Sequence, residues 1–146
     1  MDAPAVHTLY FEDLRVGMRE TLMRTVMDGD VVDFARISGD ENPIHLSESY
    51  ASQTKFGQRI AHGLYTASLI SAVLGTRLPG PGAIYRSQTL HFHAPVKIGD
   101  VVTVIVEVTE LTAQGRQAKL HCEALVDGQL VLDGEALVSV PSRARK

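Results

Sequence analysis

Apolar residues recur at every second position through most of the chain's second half. Ile84, Arg86, Gln88, Leu90, Phe92 and Ala94 share one parity, against Tyr85, Ser87, Thr89, His91 and His93 on the other. Val102, Val104, Val106 and Val108 form a second such face. Ala118, Leu120, Cys122, Ala124 and Val126 form a third, and Leu130, Leu132, Gly134, Ala136, Val138 and Val140 a fourth. Period two is the pattern of strands that bury one face. The breaks at Pro95, Gly99-Asp100, Gln114-Gly115 and Asp127-Gly128 are short turns. Strands joined by short turns pair antiparallel, and Asp-Gly is a strong hairpin signal. Weaker alternation over 20–27 predicts one earlier strand.

The first half carries helical spacing instead. Val31, Val32, Phe34, Ala35 and Ile37 make an apolar stripe behind Asp28 and Asp30, either of which can cap a helix that Gly39 ends. A second, short helix is expected from about Ser47 through Tyr50 and Ala51. Residues 55–59 read as a polar loop. Gly63–Thr76 contains no charged residue. It is shorter than the roughly 20 apolar residues a membrane span needs. It reads instead as a helix buried nearly all round, followed by a tight loop at Leu78-Pro79-Gly80-Pro81-Gly82.

A charge-free helix needs cover on every side, and a curved antiparallel sheet can supply it. The pattern therefore predicts one α+β domain over residues 1–146, with short flexible ends. Sheet and helix together still leave an edge or face open that a second copy would cover, so a homodimer is expected.

Composition narrows the partners. A net charge of −3 argues against nucleic acid held by a broad basic surface. With 45% hydrophobic and 21% charged residues the chain is neither disordered nor membrane-spanning in bulk. Its one cysteine, Cys122, alternates with apolar neighbours and reads as core. No intramolecular disulfide is possible. The start at Met1-Asp2-Ala3-Pro4 lacks the basic and apolar regions of a signal peptide. The cytoplasm is the expected location. The basic end, 143–146, reads as a frayed, solvated tail.

Chemistry concentrates in Ser38-Gly39-Asp40-Glu41-Asn42-Pro43-Ile44-His45. This stretch places a carboxylate, an amide and an imidazole within six residues, and Pro43 prevents plain helix. Asp40 and His45 can carry acid–base chemistry around one water. Gly63 opens the charge-free helix, where free N–H groups and the positive helix end suit a developing oxyanion. His62, beside it, either supports that turn or simply packs, and packing is the preferred reading. Gly63, Ala67 and Ser71 fall at i, i+4 and i+8, a stripe of small residues that either leaves room for an extended apolar ligand, with Leu74 closing the far end, or permits close packing. His91 and His93 share a strand face, but no third ligand stands at a convincing spacing, so no metal is expected. Lys55, Arg59, Arg86 and Lys97 are the cations available to an anionic ligand.

These motifs resemble the MaoC-like family of hotdog-fold proteins, specifically the (R)-specific enoyl-CoA hydratases. Residues 34–45 are similar to the family's hydratase signature, an aromatic residue followed by Ser-Gly-Asp-x-Asn-Pro-x-His. Ile60-Ala61-His62-Gly63-Leu64 resembles the segment that opens the family's central helix, and Phe92-His93-Ala94-Pro95-Val96 with Gly99-Asp100 resembles a family strand and turn. The resemblance covers about 11–140. It implies a hotdog fold, a curved antiparallel sheet wrapped around a buried central helix. It implies Asp40 and His45 as the catalytic pair, with Asn42 positioning the site. The implied substrate is an acyl-CoA thioester, with coenzyme A as part of that substrate and no separate cofactor. A 3-hydroxyacyl-ACP dehydratase, a hotdog thioesterase and a non-catalytic acyl-CoA-binding module stay open as alternatives.

Overall fold

A computed structural model describes residues 7–143. The elements run β1 (Arg19–Thr25), α1 (Asp28–Ser38), α2 (Pro43–Leu46), α3 (Glu48–Ser52), α4 (Gly63–Thr76), β2 (Ile84–Gln88), β3 (His91–Phe92), β4 (Val101–Thr112), β5 (Gln117–Val126) and β6 (Gln129–Ser139). The strands form one antiparallel sheet in the order β1-β4-β5-β6-β2, with β3 also paired to β6. The sheet curves around α4, as the resemblance implied.

The period-two pattern is obeyed most strictly in the middle of the sheet. Val102, Val104, Val106 and Val108 of β4 and Ala118, Leu120, Cys122 and Ala124 of β5 are each 0% exposed. Against them α4 sets Leu69, Ile70, Val73 and Leu74. Burial of each such aliphatic side chain contributes roughly 2 kcal/mol, so this contact is the main attachment of the helix. Asp127 and Gly128 both have positive φ, 50° and 76°, as a two-residue hairpin turn between β5 and β6 requires.

Several expectations change. The alternation over residues 84–94 is not one strand. Glu135 N–H donates to Thr89 Oγ1 and Thr89 N–H to Glu135 O, each at 2.9 Å, and the chain crosses so close to Gly134 that a Cβ there would lie 1.8 Å from Thr89 O. That crossing separates β2 from β3, and only a residue without a side chain permits it. The fourth face is also shifted. A bulge opposite Ala124 and Leu125 leaves both Val131 and Leu132 buried and Leu130 only half-buried. In α1, Val31 and Ala35 are buried whereas Val32 and Ile37 are exposed, so the inward stripe is narrower than predicted. Neither Asp28 nor Asp30 is the N-cap: Met27 holds that position, and its N–H donates to the Asp30 carboxylate in the first turn at 2.9 Å.

The largest correction concerns α4. Tyr65, Thr66, Leu69, Ile70, Val73 and Leu74 are buried, but Gly63, Leu64, Ser68, Ser71, Ala72 and Gly75 are exposed. One sheet from one chain covers only one side of the helix. Leu74 turns into the core and lies away from the stripe it was expected to close. At the C-terminal end, Arg143 is not frayed: it forms a two-point pair with Asp13 and lies over the Tyr10 ring. Residues 1–4 and 144–146, read as the absent leader and the rest of the basic tail, lie outside the described residues. Among the described residues no helix is long and apolar enough to cross a membrane.

Candidate active site

The segment after α1 is folded by its own side chains. Gly39 adopts φ 81° and donates to Ala35 O, which ends the helix. Ser38 Oγ accepts from Asp40 N–H at 3.1 Å. Asp40 Oδ1 then accepts from Asn42 N–H at 3.3 Å, and Asn42 Oδ1 from Ile44 N–H at 3.1 Å. Two consecutive side-chain turns therefore set the path, and the second caps α2, with Pro43 in its first turn. The sequence predicted a kink here, and the kink proves to carry this extra helical turn. One turn of helix then carries His45 inward. Asn42 accordingly acts through the backbone: it aims α2 and hence His45.

His45 is buried and held at two points. Its Nδ1 lies 2.7 Å from Ile60 O. A carbonyl only accepts, so Nδ1 carries the proton and Nε2 keeps its lone pair. Arg59 fixes the backbone, with Nε donating to His45 O and Nη1 to Asp28, at 2.7 and 2.6 Å. Burial pushes the His45 pKa below its ordinary value, an effect partly opposed by the Ile60 hydrogen bond. The ring is thus kept neutral and able to accept a proton.

Ala61 N–H donates to Val96 O at 2.7 Å, which anchors the turn into α4. Among the described residues nothing accepts from the N–H groups of Gly63 and Leu64, because the first intrahelical bonds start at Tyr65 and Thr66. A Cβ on Gly63 would lie 2.6 Å from Phe92 Cε1, so the glycine also admits the Phe92 ring. The packing reason and the chemical reason for glycine coexist at this position.

These pieces surround one cavity of about 500 Å³, lined by Asp40, His45, His62, Gly63, Leu64 and Thr66, with Phe92, Val131 and Leu132 among the apolar walls. The size and the few convergent polar groups suit a small acyl ligand. Donor atoms of Asp40, His45 and His62 lie within 4.8 Å of one another. That is close enough for one water to bridge them.

Ala67 and Ser71 line a second groove of about 360 Å³, shared with Tyr85, Arg86, Gln88 and Leu90. Leu74 is outside both linings. Of the candidate cations, Arg59 is engaged inside the fold as above, and Arg86 donates to Ser139 Oγ at 2.7 Å. Lys55 stands over the Phe56 ring at the edge of the main cavity. His93 pairs with Asp133 at 2.8 Å rather than converging with His91. Sequence reasoning missed Leu64 N–H, Thr66 and the clamping role of Arg59. Nothing in a residue's identity marks a free backbone donor or a long-range backbone contact.

The MaoC-like domain family matches residues 15–127. A 3-hydroxybutyryl-CoA dehydratase from Methylorubrum extorquens is 63% identical over 96% of this chain and 89% of its own length. An (R)-specific enoyl-CoA hydratase from Rhodospirillum rubrum is 50% identical over 92% of this chain and 93% of its own. The solved structure of an (R)-hydratase from A. caviae involved in PHA biosynthesis superposes with a TM-score of 0.87 at 41% identity, covering 89% of this chain and 99% of that one.

Proposed function

The chain belongs to the MaoC-like dehydratase family, and from that premise we infer that it is a hydro-lyase that reversibly adds water to trans-2-enoyl-CoA to give (R)-3-hydroxyacyl-CoA. Dehydration of 3-hydroxybutyryl-CoA is the same equilibrium run backwards, so the names of the two relatives agree. The observation that carries the reading at this site is the pairing of a neutral, base-ready His45 Nε2 with the Asp40 carboxylate in one cavity, opposite free helix N–H groups.

The proposed steps follow from those groups. Water sits between the free oxygen of Asp40 and His45 Nε2. The thioester oxygen accepts from Gly63 N–H, with Leu64 N–H as a second donor, and this polarises C3. Water oxygen bonds to C3, the C2–C3 π electrons move toward the thioester oxygen as an enolate, and the water proton passes to the Asp40–His45 pair. Collapse of the enolate takes a proton at C2 from the same pair. Two coupled groups share this proton, so the step belongs to the pair. No resident cofactor is required, and coenzyme A enters as part of the substrate.

The test is loss of the conjugated enoyl absorbance of crotonyl-CoA, with the product identified by chiral chromatography. Water addition giving the (R)-alcohol supports the assignment, and no addition across several acyl lengths sinks it. Because a base with a lowered pKa is protonated only on reaching lower pH, the acid limb of kcat/KM should lie below the ordinary imidazole value near 6.5.

The acyl chain is proposed to leave the main cavity along the small-residue face of α4 into the groove at Ala67 and Ser71. Ser71→Leu should reduce activity on an eight-carbon enoyl-CoA by about tenfold or more relative to crotonyl-CoA. An unchanged ratio would assign the stripe to packing alone.

A homodimer is proposed as well. Leu64, Ile84, Tyr85 and Phe92 are exposed beside the open edge of β2 and the uncovered side of α4, and Asp40 is itself exposed in the single chain. A second copy would cover that face, and sedimentation giving the mass of one chain would refute it. A cytoplasmic location is proposed from the single thiol, Cys122, which is buried with its pKa pushed up to about 11, and fractionation of cells checks it.

A further inference from the structure

His62 is 2% exposed and lies at the N-terminal boundary of α4, immediately before Gly63. Its Nε2 is 2.9 Å from the main-chain oxygen of Asp40. That oxygen can only accept, so Nε2 carries the proton in this bond. Nδ1 is buried without a partner among the described residues. The imidazole also stacks on the ring of His45, with centroids 3.8 Å apart and planes 28° from parallel, and is backed by Phe34 at 4.8 Å. A histidine used only as packing would not hold this set of contacts. Its ring touches the backbone of one reacting residue and the ring of the other, and its own carbonyl accepts from Tyr65 and Thr66 as α4 begins.

We infer that His62 is a positioning residue for the hydration reaction. It fixes Asp40 relative to His45 through the Nε2–H bond to Asp40 O and the stacked ring. The buried, unpartnered Nδ1 is the uncompensated part of this arrangement, tolerated because the other ring nitrogen is committed to Asp40. Among the described residues, Asp40 is otherwise held by its local turn on an exposed segment, at 3.1 Å to Ser38 and 3.3 Å to Asn42. His62 is its tie to the core. The inference rests on the hydratase reading. Wild-type activity on crotonyl-CoA decides that reading first, and the variants below are compared only with that rate.

His62→Phe keeps the ring and removes the donor, whereas His62→Gln keeps an N–H donor of similar reach and removes the aromatic ring. His62→Phe should lower kcat about a hundredfold, with KM within about threefold and the melting temperature nearly unchanged, as a displacement near 1 Å at a reacting group would. His62→Gln should recover most of that loss. Wild-type kcat in His62→Phe, or an equal loss in both variants, overturns the inference. A measurement on the unaltered protein stands beside the variants. Long-range 15N–1H spectra should show a proton on Nε2 of the ring, and an Nδ1–H tautomer would equally overturn it.

Discussion

Asp40→Asn is expected to lower kcat for hydration of crotonyl-CoA by about a thousandfold, within the range that a positioned acid–base group contributes. The substitution is nearly isosteric. The Asn side-chain oxygen can still accept from Asn42 N–H, so the turn into α2 survives. The backbone oxygen of Asp40 that His62 holds is also unchanged. What is lost is the negative charge and the second acceptor facing the cavity. KM should change little, because in the proposed mechanism the carboxylate acts on the water and not on the thioester. An exposed side chain with only local bonds adds little to stability, so the melting temperature should stay within a few degrees. Near-wild-type kcat in this variant would remove Asp40 from the mechanism.

Gly63→Ala should lower kcat/KM by about a hundredfold, comparable to loss of an oxyanion donor. The new methyl would stand beside the N–H proposed to donate to the thioester oxygen and would meet Phe92 at 2.6 Å. Phe92 is 55% exposed, so its ring can swing aside. Alanine is also the better helix residue, and the net effect on stability should stay below about 1 kcal/mol. Large kinetic loss with unchanged stability is thus the signature of an obstructed oxyanion site. Phe92→Ala separates the two roles of the glycine. Recovery of wild-type kcat/KM by Gly63→Ala in the Phe92→Ala background would mean that Gly63 serves only the ring.

The central sheet was readable because the alternation runs unbroken through residues 102–108 of β4 and 118–124 of β5, with one face buried and the other half-buried. The misreadings fall where a local pattern met a long-range contact. The break at Thr89 depends on the approach to Gly134, which is 45 residues away in sequence and leaves no mark on the alternation. The charge-free face of α4 was read as covered, yet composition does not say whether cover comes from the same chain. Leu74 was placed by helical arithmetic at the end of the stripe, although its side chain belongs to the core.

In the site, Asp40, Asn42, His45 and Gly63 were legible because chemistry and turn-forming residues coincide there. The structure brings Asp40, His45 and Gly63 to one cavity, with Asn42 behind them at the cap of α2. Arg59 looked like a free cation and is a clamp on His45, since only the fold reveals the backbone oxygen it holds. His62 looked like packing for the same reason.

In the proposed mechanism Asp40 and His45 act on one water as a unit. A double-mutant cycle with Asp40→Asn, His45→Gln and their combination, read as kcat/KM for crotonyl-CoA, tests it most directly. Groups that act together are strongly non-additive. Each single variant should lose about a thousandfold, and the double variant no more than about tenfold beyond that. Losses that multiply to about a millionfold, or a single variant that keeps wild-type kcat/KM, would contradict it.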